Sequence, residues 1–262
     1  MLRSLATVFF LVCAGLAVAA DESGSSDTEI WRKVRADLFA GRSILLDDGA
    51  MVDLQMPARA ADAAVVPLSV RIHARPGDSR PHKLYLIIDR NPSPIAGIFE
   101  FGAGSGAFEL ETRVRIEEYT WVRAVSEAAD GSLRMAQRYI KAAGGCSAPA
   151  GKPLSERLAG MGQMKWRLDP PVDASSSASV LLMIRHPNNS GLAMDQLTRL
   201  YDPPYYVRNV RVTRGTELVM AADVDFSISE NPAFRFAIKP GSEKLHAVVT
   251  DSNDRVFESS PP

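Results

Sequence analysis

The chain has 262 residues, with 30 Lys and Arg against 31 Asp and Glu, giving a net charge of −1. The two signs are interleaved and no basic block occurs, which excludes the electrostatic footprint of a nucleic-acid or anionic-lipid binder. With only two cysteines, a disulfide-stapled scaffold is excluded as well.

The first element is a leader. Arg3 precedes an apolar run from Leu5 to Leu16, which ends in Ala17-Val18-Ala19-Ala20. That order predicts a cleavable signal over residues 1–20 and an exported protein with no membrane attachment after cleavage. Phe10-Leu11-Val12 lacks the small residue that a lipoprotein signal places before its cysteine, so lipidation of Cys13 is not expected. Cleavage leaves Cys146 as the sole thiol, in an oxidising space where an unpaired cysteine calls for an explanation.

Ser26-Asp27-Thr28-Glu29 has the spacing of a capping box and predicts a helix with Ile30, Val34 and Leu38 on its apolar face and a stop at Gly41. The period then changes to two. Val66, Leu68, Val70 and Ile72 alternate with polar residues or proline. Phe108 through Ile116 do the same, with Arg113 and Arg115 on the polar side. Leu84–Ile88 is a continuous apolar run suited to an interior strand, and Trp121–Val125 and Leu133–Ile140 flank the hairpin signal Asp130-Gly131.

Residues 144–162 are rich in Gly, Ala, Ser and Pro and read as a linker, with a short helix expected at Leu154–Leu158. From Lys165 the strand signature returns: Val180–Ile184, Val207–Val212, Phe234–Ile238, and Leu245–Thr250 facing Arg255–Glu258. The fold class predicted is all-β, with two β-sandwich domains in tandem and a short helix before the first.

Chemistry-bearing residues are few. His73, His82, His186 and His246 fit no zinc spacing, so no metal or cofactor is expected. Gly102–Gly106 resembles a phosphate loop only in composition, since it lies between strands, and Gly104-Ser105-Gly106 there is no strand-to-helix nucleophile elbow. Glu117-Glu118 ends a strand and reads as solvent-facing. Tyr201–Tyr206 is either a partner surface or an ordered loop, and Asn188-Asn189-Ser190 matches a glycosylation acceptor. No catalytic set emerges. Cys146, preceded by Gly144 and Gly145, sits on a strip of small residues from Ala143 to Gly151 that reads as flexible and able to deliver a thiol into a narrow cleft. Lys141 and Lys152 are the cations near it in sequence.

Ile98-Phe99-Glu100-Phe101, the run Ala107–Ile116, Asp130-Gly131-Ser132-Leu133 and Gly144-Gly145-Cys146 together resemble SoxY, the sulfur-carrying subunit of bacterial thiosulfate oxidation. His186-Pro187-Asn188-Asn189-Ser190-Gly191, Ser229–Phe236 and Thr250–Asp254 resemble its partner SoxZ. The joined order is similar to fused SoxYZ-like carriers found beside periplasmic quinoprotein dehydrogenases.

The resemblance implies an immunoglobulin-like SoxY-like domain over 28–143 and a SoxZ-like one over 163–259. It also implies a periplasmic, non-enzymatic carrier that holds a sulfur intermediate covalently on Cys146 and presents it to docking redox or sulfur-processing enzymes. The family's arm ends the chain with Gly-Gly-Cys-Gly-Gly. Here Ser147-Ala148 replaces the second glycine pair, and the arm continues into a second domain. Two further readings stay open: Cys146 as a small apolar residue buried beneath the link in a non-covalent accessory protein, and a disulfide-linked dimer through Cys146.

Overall fold

The computed structural model describes residues 25–47, 49–74, 77–149, 153–171, 177–195 and 199–262. The signal at 1–20, Cys13, and the linker residues Gly151 and Lys152 lie outside them.

Helix α1 spans Glu29–Phe39. The capping-box spacing puts the cap at Ser26; the N-cap is instead Thr28, with Glu29 as the first helical residue and Ser26 outside the helix. The Thr28 hydroxyl accepts from the Trp31 N–H at 3.0 Å and donates to Asp89 at 2.8 Å. Ala40 closes the helix at φ 47° and Gly41 follows at φ 78°. The buried face also differs from expectation. Trp31 and Phe39 are covered, Val34 and Leu38 partly so, and Ile30 is 39% exposed. The helix seats Trp31 and Phe39 on Tyr85, Ile87, Val125, Leu133 and Met135, a small second core outside the main one.

Eight strands form the first unit: β1 (Ile44–Leu46), β2 (Val52–Gln55), β3 (Val66–Ile72), β4 (Pro81–Ile88), β5 (Ile95–Phe101), β6 (Ser105–Val114), β7 (Thr120–Ala128) and β8 (Leu133–Ile140). Helix α2 (Leu154–Leu158) falls where a short helix was expected. Seven strands form the second unit: β9 (Met164–Asp169), β10 (Ala178–Ile184), β11 (Val207–Arg214), β12 (Glu217–Val224), β13 (Ala233–Ile238), β14 (Leu245–Asp251) and β15 (Val256–Ser259). The protein is all-β, a pair of immunoglobulin-like sandwiches with one helix ahead of them.

The two units share both sheets. One sheet runs β1-β8-β7-β4-β5-β12-β11-β14-β15 and the other β2-β3-β6-β13-β10-β9. The joints are antiparallel: Phe99 of β5 pairs with Ala222 of β12, and Leu110 of β6 pairs with Phe236 of β13. Four edges that separate sandwiches would expose are thereby paired. The core is continuous across the seam, where Phe99 meets Phe234 edge-on at 6.0 Å. The glycines of the β5–β6 turn serve this joint, because a Cβ on Gly102 would stand 2.3 Å from the Leu218 carbonyl of β12.

The alternation read into β6 stops at Val114. Val114, Arg115 and Ile116 are all buried in succession, so Arg115 is not on the polar face. Once the strand ends, the two-residue period no longer sets which way a side chain points.

Candidate functional site

Cys146 lies where the two units meet, and it is 1% exposed. This corrects the expectation of a thiol displayed on an open strip. The strip is pinned by a succession of hydrogen bonds. The Gly144 N–H donates to the Glu117 carbonyl at 2.8 Å and the Gly145 N–H to the Ile116 carbonyl at 2.9 Å. The Cys146 and Ser147 N–H groups both donate to Glu117 Oε2, at 2.8 and 3.1 Å, and the Ser147 hydroxyl donates to Glu117 Oε1 at 2.8 Å. Each bond to the carboxylate is charge-assisted, worth about 1.5–3 kcal/mol. Glu117, expected to face solvent, is therefore the clasp of the cysteine turn, while Glu118 is exposed and reaches Arg90 at 3.2 Å.

The glycines serve this fit. Gly144 has φ 80°, a left-handed conformation that disfavours a side chain. A Cβ on Gly145 would stand 2.0 Å from the Ala63 carbonyl oxygen, itself the acceptor of the Ile116 N–H at 2.8 Å. Backbone on both sides leaves no room at this point for anything larger than glycine.

The second unit supplies the other wall. The Ser190 hydroxyl donates to the Cys146 carbonyl and accepts from the Leu192 N–H. Asn189 accepts from Arg157 of α2, which is buried and also paired with Asp202, so the segment following the arm is docked on the same loop. Asn188 is fully buried, with its side chain donating to the Ile228 carbonyl and accepting from the Val207 N–H. The apparent glycosylation motif is thus a structural knot. Arg115 crosses the seam, donating to the Phe226 and Ile228 carbonyls at 2.8 and 2.7 Å. From the opposite side, Ser229 donates to the Ala64 carbonyl at 2.8 Å.

Burial, and after it the charge of Glu117, push the Cys146 thiol up to about 12. Asp225 adds to the rise, and Arg115 pulls the other way. Arg115 is a cation acting on the sulfur, from a position that read as surface. In this conformation the sulfur is a neutral thiol and a poor nucleophile.

His186 is also buried. Its Nδ1 accepts from the Asn188 N–H at 3.1 Å, and its Nε2 lies 3.7 Å from Asp251, whose carboxylate accepts from the Tyr205 hydroxyl at 2.7 Å. Desolvation lowers its pKa from 6.5 to about 4 despite the pull of Asp251. The unfolded chain therefore takes up this proton at higher pH than the folded one. The stabilisation from neutral His186 is complete above about pH 6.5 and is lost as pH falls toward about 4, by roughly 3 kcal/mol in all. Thermal unfolding across that window should show this slope, and His186→Gln should flatten it.

The remaining candidates stay apart. His73, His82 and His246 join no cluster, and no group of three metal-ligating side chains occurs among the described residues. Tyr201 is 63% exposed whereas Tyr205 is packed, so the aromatic loop divides between surface and anchor. Of the residues at the site, Glu117 read as solvent-facing and Arg115 as the polar face of a strand, and Ser190 appeared within the His186–Gly191 motif and the glycosylation match, with no link to Cys146.

The family comparisons divide the chain at the same seam. The family model for sulfur oxidation protein SoxY matches residues 35–146, ending on the cysteine, and that for sulphur oxidation protein SoxZ matches residues 169–261. The chain is a fused SoxYZ-like protein. Its SoxY-like unit supplies Cys146, Glu117 and Arg115, and its SoxZ-like unit supplies Asn188, Asn189 and Ser190. The SoxY and SoxZ families are sulfur-oxidation carriers or accessory proteins and not catalysts. No curated protein matches the chain. Among solved structures, a β-glycosidase from Bacteroides vulgatus aligns at TM-score 0.26 and 9% identity over 82% of this SoxYZ-like chain and 25% of its own. The chain thus spans a quarter of that enzyme's length, and the likeness carries no argument about activity.

Proposed function

We propose that this fused SoxYZ-like protein is a periplasmic covalent carrier. It holds a sulfur-containing intermediate on Cys146 and presents it to partner redox or sulfur-processing enzymes, in connection with a quinoprotein dehydrogenase system. The observation that carries the reading is the placement of Cys146. The one cysteine outside the signal ends the SoxY match and is held at the seam by polar contacts from both units, not by apolar packing alone. A cysteine serving only as core filler would not need its backbone clasped by a carboxylate on one side and a hydroxyl on the other.

Presentation requires the arm to leave its seat, because a thiol that is 1% exposed reaches no partner. Residues 144–149 would come out as a doubled strand, tethered on one side at Lys141, whose N–H donates to the Ala58 carbonyl, and on the other at α2. The same burial favours a second reading, a non-covalent accessory protein in which Cys146 is structural. Cys146→Ser separates the two. Loss of function in the native host with an unchanged melting temperature is the expected result, and full activity would sink the carrier.

A further inference from the structure

We propose that Glu117 is a charge-sensitive latch on the Cys146 arm, holding it shut while the sulfur is neutral and releasing it when the sulfur bears negative charge. The inference rests on the carrier reading for its purpose, but not for its test.

Three donors converge on this one carboxylate: the N–H of Cys146, the N–H of Ser147 and the Ser147 hydroxyl. Two successive N–H groups and a hydroxyl aimed at a single point make a small anion cradle, and Glu117 fills it. The clasp thus places a negative charge against the residue that bears the sulfur. Among the described residues the surroundings divide by sign. Asp225, with one oxygen buried and without a hydrogen-bond partner, adds to the negative field, and Arg115 opposes it while its guanidinium donates to the Phe226 and Ile228 carbonyls. A neutral thiol fits this setting. A thiolate or an anionic substituent would meet the charge of Glu117 in a part-buried site, where like charges repel more than in bulk solvent.

The contacts that remain without Glu117 are weaker. Among the described residues they include the Gly144 and Gly145 N–H bonds to carbonyls and the Ser190 hydroxyl on the Cys146 carbonyl. Ser190 is neutral and would hold a charged and an uncharged arm alike. Of the groups hydrogen-bonded to the arm, Glu117 is the one whose charge discriminates, and this is what separates a latch from ordinary packing.

The test uses the full mature chain without partner or cargo. Labelling of Cys146 by iodoacetamide at about pH 8, read by peptide mass, should be about tenfold faster or more in Glu117→Gln than in the native protein. Ser190→Ala should also accelerate labelling. The decisive arm needs no substitution: native protein is labelled on Cys146 under denaturing conditions with iodoacetate or with iodoacetamide and then refolded. The two adducts match in size, and only the first is charged. Hydrogen exchange at the Cys146 and Ser147 amides should be faster in the charged adduct, and Glu117→Gln should remove the difference. Equal protection in the two adducts would overturn the latch, even if Glu117→Gln failed to fold. Failure of the carrier reading would instead appear as a Cys146 that never bears cargo in the host, with these rates unaffected.

Discussion

Replacing Gly145 with alanine is expected to expel the Cys146 arm from the seam while leaving both sandwiches folded. The added Cβ would lie 2.0 Å from the Ala63 carbonyl oxygen and 2.8 Å from the Ile116 nitrogen. Both are backbone atoms, and they are bonded to each other, so neither can give way as a side-chain tip would. The arm is the weaker party. It is held by hydrogen bonds and its Cys146 is not part of the main core, whereas Ile116 and the strands behind it belong to the continuous interior. With the arm out, the thiol moves from burial beside a carboxylate into water. Its pKa should fall from about 12 toward the ordinary value near 9, raising the thiolate fraction at neutral pH by on the order of 10³. The rate of reaction with a disulfide reagent should follow, and the far-ultraviolet spectrum should not change. An unaltered rate would show that the close approach at Gly145 is not what seats the cysteine.

Arg123→Met is expected to be the most destabilising of the substitutions considered. Arg123 is fully buried on β7, and its guanidinium meets Asp89 through two bonds at 2.8 and 2.7 Å. It also donates to Gln137 at 2.6 Å and to the Ser26 carbonyl, and it stacks over the Trp31 ring at 4.4 Å. Asp89 in turn accepts from the Thr28 hydroxyl, the N-cap of α1. One ion pair therefore fixes both the start of the helix and its seat on the sheet. Methionine keeps the bulk and leaves Asp89 charged and unpaired in the interior, a loss of about 3–5 kcal/mol and roughly 10 °C in melting temperature for a chain of this size. Arg123→Met combined with Asp89→Leu should recover part of the loss, because the orphaned charge is then gone.

The sequence carried those parts of the fold that depend on neighbours along the chain. The alternation in β3, the Asp130-Gly131 turn between β7 and β8, and the stop after Phe39 follow from side-chain period and backbone preference, and each is present. Ser26-Asp27-Thr28-Glu29 located the start of α1 to within a turn. It put the cap on Ser26, two residues early; the Thr28 hydroxyl that caps instead also donates to Asp89, 61 positions away, a contact that local spacing does not carry.

The site was less legible, since its contacts are long-range. Glu117 clasps a residue 29 positions on, Ser190 reaches back 44, and Arg115 donates across 111. Nothing in Glu117-Glu118 distinguishes the clasp from its exposed neighbour. The strip of small residues around Cys146 fits two physical purposes equally well, a mobile arm and a backbone threaded through a tight space. The structure shows the second in the resting state, while carrier function also requires the first. Continuity of the sheets was hidden for a related reason: an edge strand that pairs with the next domain has the same alternation as one that does not.

The most direct test of the account is the intact mass of the protein isolated from its native host, measured before and after treatment with a reductant. The carrier reading predicts a mass addition on Cys146 that reductant removes. A Cys146 that is unmodified in the working cell, with partner enzymes present, would contradict it.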